Sequence, residues 1–184
     1  KGIEFPTSEV KFSPACWFTA FRWTRPRREE VMTWQIIDLA KGESKSARSC
    51  GNLVVFHPQD WLVALDHGRF IEIKETASWI SKQKFRLANH PDGIDSMNFS
   101  KTGKFAAASG WYRYTRSKPT LQLWDITSGA EIGRYTVDGV INGLSFSDKG
   151  YLLCDQGRLP FPSVLPDKQE KDVKMEQMDA QDLL

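Results

Sequence analysis

Short alternating runs of apolar and polar residues, each ending on a phenylalanine and a turn, recur along the chain. The phenylalanine and turn read Phe12-Ser13-Pro14, Phe56-His57-Pro58, Phe99-Ser100-Lys101 and Phe146-Ser147-Asp148, at intervals of 44, 43 and 47 residues. Runs such as Leu53-Val54-Val55-Phe56 and Gly143-Leu144-Ser145-Phe146 come before the turn. Runs such as Trp61-Leu62-Val63-Ala64-Leu65 and Tyr151-Leu152-Leu153-Cys154 follow it. Alternation with a period of two predicts strands, and strand, tight turn, strand predicts a hairpin. Gly103 and Gly150 stand where such a turn takes a positive φ.

A second element keeps the same phase. Leu121-Gln122-Leu123-Trp124-Asp125 overlays Trp34-Gln35-Ile36-Ile37-Asp38, and Phe70-Ile71-Glu72-Ile73-Lys74 takes that slot in the second repeat, with Ile73-Lys74 against Trp124-Asp125. Asp66-His67-Gly68 and Asp155-Gln156-Gly157 predict turns between neighbouring antiparallel strands. Several short strands per unit of about 40–45 residues predict an all-β repeat protein.

Composition narrows the classes. A net charge of +2 argues neither for nor against nucleic acid, but residues 1–50 hold nine Lys/Arg to six Asp/Glu, and residues 161–184 hold three to six. The acidic, polar stretch 161–184 is expected to be a disordered tail or linker. Cys16, Cys50 and Cys154 are too dispersed for a disulfide framework or zinc site, so a reducing, cytoplasmic setting is expected. No apolar run is long enough for a membrane span. The first residue is Lys, so the chain is expected to be a piece of a longer polypeptide.

The Phe-turn repeat with Trp124-Asp125 resembles WD (tryptophan-aspartate) repeat proteins over about residues 8–160. The third unit follows the pattern best, with His90 nine residues before Phe99, then Phe99-Ser100-Lys101-Thr102-Gly103, Ser109 and Trp124-Asp125. The resemblance implies a partial β-propeller of about four WD-type blades. The units are about 8–46, 47–89, 90–136 and an incomplete 137–160. It is expected to be a fragment of a larger, seven-blade ring. It also makes Phe12, Phe56, Phe99, Phe146, His90, Trp124 and Asp125 structural repeat positions. Only one unit keeps Trp-Asp, and Lys118 stands near the place of the family's turn Asp. The buried His–Ser/Thr–Asp–Trp hydrogen-bond set is therefore incomplete, and packing is expected to replace it. Residues 144–162 are similar to the late propeller of fungal NACHT-domain signalling NTPases, themselves similar to vegetative-incompatibility proteins. That likeness implies the sensor region of such a protein, although no G-x-x-x-x-G-K-[ST] motif occurs in this chain.

The candidate site follows from two long connections. Arg22, Trp23, Arg25, Arg27 and Arg28 lie between the second and third strands of unit one. Trp111, Tyr112, Arg113, Tyr114 and Arg116 lie between those of unit three. In WD proteins the corresponding loops lie on the face that meets partners, and aromatic and arginine side chains dominate binding hot spots. A protein partner is expected. The alternatives are nucleic acid or anionic lipid held by the same residues, or an enzyme built on a propeller. No cofactor or metal is implied, since three dispersed histidines make a poor metal site. His90, Ser109 and Trp124 form no catalytic set, because no Asp completes it by spacing. His57 and His67, in predicted turns, are expected to be exposed.

Overall fold

The computed structural model describes residues 9–22, 33–48, 51, 53–88, 93–110, 118–148 and 151–160, and all the regular structure among them is strand. Four antiparallel sheets follow one another in chain order. The first holds β1 (Val10–Phe12), β2 (Phe18–Arg22), β3 (Thr33–Asp38) and β4 (Glu43–Arg48). The second holds β5 (Val54–Phe56), β6 (Leu62–Asp66), β7 (Phe70–Glu75) and β8 (Ser81–Arg86). The third holds β9 (Ile94–Phe99), β10 (Phe105–Gly110), β11 (Thr120–Asp125) and β12 (Glu131–Thr136). The fourth holds β13 (Leu144–Phe146), β14 (Tyr151–Cys154) and β15 (Gly157–Pro160). Strand order within each sheet is chain order, a simple meander. The chain divides into two compact units, Lys1–Lys84 and Phe85–Leu184.

The four phenylalanines occupy one position. Each ends the first strand of its sheet and pairs with the second strand, at Thr19, Val63, Ala106 and Leu152 respectively. The following amide closes the hairpin in each case: Ser13 to Phe18 O (2.9 Å), His57 to Leu62 O (2.9 Å), Ser100 to Phe105 O (2.9 Å) and Ser147 to Tyr151 O (2.8 Å). The carbonyls of Ser13, His57 and Ser100 then accept the amides of Cys16, Asp60 and Gly103. All three of those residues are left-handed, with φ of 58°, 61° and 74°. Glycine fits this slot at no steric cost, whereas an L side chain costs about 1–2 kcal/mol there. Asp60 is compensated. Its Oδ2 accepts the Ser13 hydroxyl at 2.9 Å and the Ala15 amide at 3.0 Å, latching the turn of sheet one to that of sheet two. Cys16 is an exposed free cysteine.

Strands β3, β7 and β11 each end on an acid, Asp38, Glu75 or Asp125, whose carbonyl accepts the amide of Gly42, Trp79 or Gly129 at 2.8–2.9 Å. The expected overlay of Ile73-Lys74 on Trp124-Asp125 is thus off by one residue. Glu75 pairs with Leu62 as Asp38 pairs with Phe18 and Asp125 with Phe105. A one-residue slip exchanges the faces of a strand. In the true register Ile71 and Ile73 match Leu121 and Leu123, which all belong to the core.

Within each unit, one sheet lays its leading face on the trailing face of the next. In the first unit Ala20, Trp34, Ile36 and Ala47 pack on Val54, Phe56, Val63 and Leu65. In the second, Ala107, Leu121, Leu123 and Tyr135 pack on Leu144, Phe146, Leu152 and Cys154. Strand registers make these two sets the same positions, one by one. The first strands of stacked sheets also approach one another, and Asn98 of β9 donates its amide to Leu144 O of β13 at 3.0 Å.

Replacing the two non-glycine residues of the left-handed slot separates strain from latch. Cys16→Gly is expected to raise stability by about 0.5–1 kcal/mol in urea unfolding. Asp60→Gly, at the same φ, is expected to lower it by about 2 kcal/mol, because the buried Ser13 hydroxyl loses a charged acceptor.

Candidate partner-binding face

The two long connections fall where the alternation places them, between β2 and β3 and between β10 and β11. Trp23, Arg25, Arg27, Arg28, Trp111, Tyr112, Arg113, Tyr114 and Arg116 lie outside the described residues, as does His90. Arg22 is described, and it is engaged within sheet one. Its guanidinium meets Glu9 at 3.0 Å and lies 5.5 Å from the ring of the fully buried Trp34. Lys11 meets the same carboxylate at 3.2 Å and the same ring at 6.0 Å, so one acid holds two cations against one indole. At the exit of the second loop, Lys118 pairs with Asp138 at 2.7 Å, and that bond holds the Asp138 carboxyl below its ordinary range.

The short connection of sheet two lies at the same strand ends. Asp66 accepts the Gly68 amide at 2.6 Å, and Gly51 stands so close to the Asp66 carboxylate that any side chain would collide with it. His67 stacks on Phe70 (ring centroids 4.6 Å apart) and meets Glu72 at 3.2 Å. His67 is therefore half-buried and paired, and His57 is buried, with its Nδ1 accepting the Gln59 amide at 3.1 Å and its ring edge-on to Trp61. Both depart from the expected exposure. The His57 turn is the one latched to sheet one through Asp60, which shields it from water.

Glu72 opens onto a polar feature that repeats. Gln35, Glu72 and Gln122 occupy one position on the third strand of sheets one to three, four positions including themselves from the terminal acid. Each reaches the fourth strand: Gln35 donates to Ser46 Oγ at 2.7 Å, Glu72 meets Lys84 at 3.7 Å, and Gln122 donates to Glu131 at 3.1 Å. Gln122 is fully buried and also accepts the Ala88 amide at 2.8 Å, while Arg134 holds Glu131 at 2.8 Å. The third sheet is thus wired by a glutamine network, where packing alone was expected. Trp124 stacks on Phe85 with centroids 5.1 Å apart, and the hydroxyl of buried Ser109 has no hydrogen-bond partner among the described residues. Asp125 caps its turn. Its carboxylate accepts the Ser128 amide at 2.8 Å, which holds its carboxyl below the ordinary value.

Four exposed apolar residues of the first unit, Trp17, Leu39, Trp61 and Ile80, lie on turns at the other end of the strands. Trp17 and Trp61 share one repeat position, five residues beyond Phe12 and Phe56, and are 59% and 49% exposed. The Asp60 latch joins the turns that bear them, and the exposed Leu39 and Ile80 sit on the adjoining β3–β4 and β7–β8 turns. Leu39 donates its amide to Trp17 O at 2.9 Å. This second surface was missed by reading the long loops alone. Its signal was the recurrence of tryptophan at the same offset from the repeated phenylalanine.

Among the described residues no group of three or more His, Cys, Asp or Glu side chains converges as a metal site, and no helix is long and apolar enough to cross a membrane. No family model matches the chain, and no curated protein matches it significantly.

Burial would raise the Glu72 carboxyl, but the Ser81 hydroxyl and the charges of Lys74, His67 and Lys84 outweigh it and hold the group below its ordinary 4.5. A depressed carboxylate stabilises the fold above its unfolded-state value, and that stability fades as pH falls through the folded value. Wild type is therefore expected to exceed Glu72→Gln in urea midpoint at neutral pH, with the gap closing as pH drops below 4.5.

Proposed function

We propose that the chain is a partial β-propeller of WD type and serves as a non-catalytic, cytoplasmic scaffold or recognition module for a protein partner. One observation carries the reading. All four sheets close the same hairpin with the same amide hydrogen bond at a spacing of 43–47 residues, and the two stacked pairs, one in each unit, fill the sheet-to-sheet contact from the same positions. That is the period of a propeller blade. The resemblance of residues 144–162 to NACHT-type proteins narrows the proposal to the sensor region of a signalling NTPase. Such modules act by holding irregular loops on rigid strands, and the two long basic-aromatic connections are the loops this chain holds.

Two measurements test the reading. Spin labels on Lys11, Val55, Asn98 and Ser145 mark one equivalent first-strand position per sheet. A propeller requires similar separations for every pair of successive sheets, and a widely unequal set would refute it. For the partner, the triple variant Arg25→Ala, Arg27→Ala, Arg28→Ala is expected to weaken a cognate protein by at least about tenfold. Binding to RNA or anionic vesicles instead, lost at moderate salt, would replace the protein-scaffold reading with a charge-driven one.

A further inference from the structure

The first turn of sheet two carries a charge that its structural role leaves unused. Asp60 is 6% exposed, and its Oδ2 accepts two neutral donors, the Ser13 hydroxyl and the Ala15 amide. Its Oδ1 is buried and accepts no hydrogen bond. An asparagine would accept the same two bonds and tolerate the same φ of 61°. The latch therefore accounts for the shape of this side chain and not for its charge. The other charges around these turns are matched: Lys41 meets Asp38 at 3.7 Å, Lys45 meets Glu43 at 3.7 Å and Lys82 meets Glu75 at 3.5 Å. Among the described residues no cation pairs with Asp60, and burying a carboxylate without one is costly.

The surface beside this carboxylate is aromatic. Trp61 is the next residue, and exposed Trp17 ends the turn whose Ser13 and Ala15 bind Asp60. Both turns are tied to their neighbours. Leu39 donates its amide to Trp17 O at 2.9 Å, Thr76 donates its amide to Trp61 O at 3.0 Å, and the Thr76 hydroxyl bonds Asp60 O at 2.6 Å. Sheet three, with Gly103 and Lys104 at the positions of Asp60 and Trp61, has neither acid nor ring.

We infer that this end of the first unit binds an arginine side chain of a protein partner, its guanidinium resting on Trp17 and Trp61 beside the buried Asp60. A cation is drawn to the face of an indole, and the carboxylate adds to that pull through a medium that screens less than water does. Because Asp60 Oδ1 is out of reach of solvent, the cation is held by ring face and field and makes no direct bond to the acid. That requirement selects arginine over lysine. A guanidinium is planar and weakly hydrated, and it stacks on a ring while its edge N–H groups stay in water. The site is independent of the long basic-aromatic connections, which lie at the opposite strand ends.

Titration of the 184-residue chain with a blocked Ala-Arg-Ala tripeptide and with its citrulline counterpart tests this, read by the indole N–H NMR signals of Trp17 and Trp61. Citrulline keeps the shape of arginine without its charge. Both signals are expected to shift saturably, with the arginine peptide bound at least about fivefold more tightly than the citrulline one. Asp60→Asn, which keeps the latch, is expected to bring the two peptides level while circular dichroism stays that of the folded chain. Trp17→Ala and Trp61→Ala, both at exposed positions, serve as second variants should Asp60→Asn disturb the fold, and each is expected to weaken the arginine peptide by about threefold. Equal affinity for the two peptides, an arginine preference that survives Asp60→Asn, or shifts confined to other tryptophans would overturn the inference. So would a lysine tripeptide that binds as tightly, or a response to phosphatidylcholine vesicles and to no peptide. None of these outcomes bears on the scaffold reading, which rests on the loops and the repeat.

Discussion

Apolar side chains that project from both faces of a narrow sheet cannot be buried by that sheet alone, and everything else in this chain follows from how neighbours bury them. A sheet of three or four strands has little interior, so its stability comes from the face it shares. Here the shared face is built to one plan. A small residue on the second strand, Ala20 or Ala107, lets the backbones approach, while Ile36 or Leu123 on the third fills the gap. Each buried aliphatic side chain of this size contributes about 1.5–3 kcal/mol, and its truncation would leave a void the neighbouring sheet cannot close. The strand registers are fixed by this demand.

The turns answer to the same demand from the side. A hairpin must turn within a few residues and deliver its strands in register, and in the three such turns among the described residues one residue is left-handed whatever its side chain. Where Gly103 stands the conformation is free of strain. Where Asp60 stands the strain is offset, because the carboxylate reaches sheet one and ties the neighbouring turn down. Trp79 is left-handed too, at φ 62°, and there the ring packs on the first unit's core while Lys74 lies 5.5 Å from it. Strain at such positions persists only where the surroundings hold it in place.

Much of the fold was legible in the sequence because hairpins are local. The phenylalanine repeat, the glycine turns and the two long connections follow from alternation and turn chemistry, and they need no knowledge of what lies across a sheet. The slip at Glu75 arose because Ile71, Ile73 and their neighbours alternate equally well in either register, and only the cross-strand partner Leu62 decides. His57 was misjudged for a related reason, since a turn is dry when another turn lies on it. Gln122 read as a polar strand residue because its partners, the Ala88 amide and Glu131, are 34 and 9 residues away in the chain. Of the candidate site, the placement of the loops was readable. The engagement of Arg22 with Glu9 and the paired tryptophans at the opposite strand ends were not, since both depend on side chains from two strands or two sheets.

The links between stacked sheets also set how the chain can acquire its structure. Ser13 to Asp60, Asn98 to Leu144 and Lys101 to Asp148 span 47, 46 and 47 residues, one repeat each, while the remaining ladder lies within hairpins. Contact order is therefore moderate for an all-β protein, and a newly formed hairpin needs only the sheet beside it to gain a foothold. Growth can start in either stacked pair, one hairpin giving a foothold to the sheet beside it, so that losing one sheet of a pair would uncover the flank of the other.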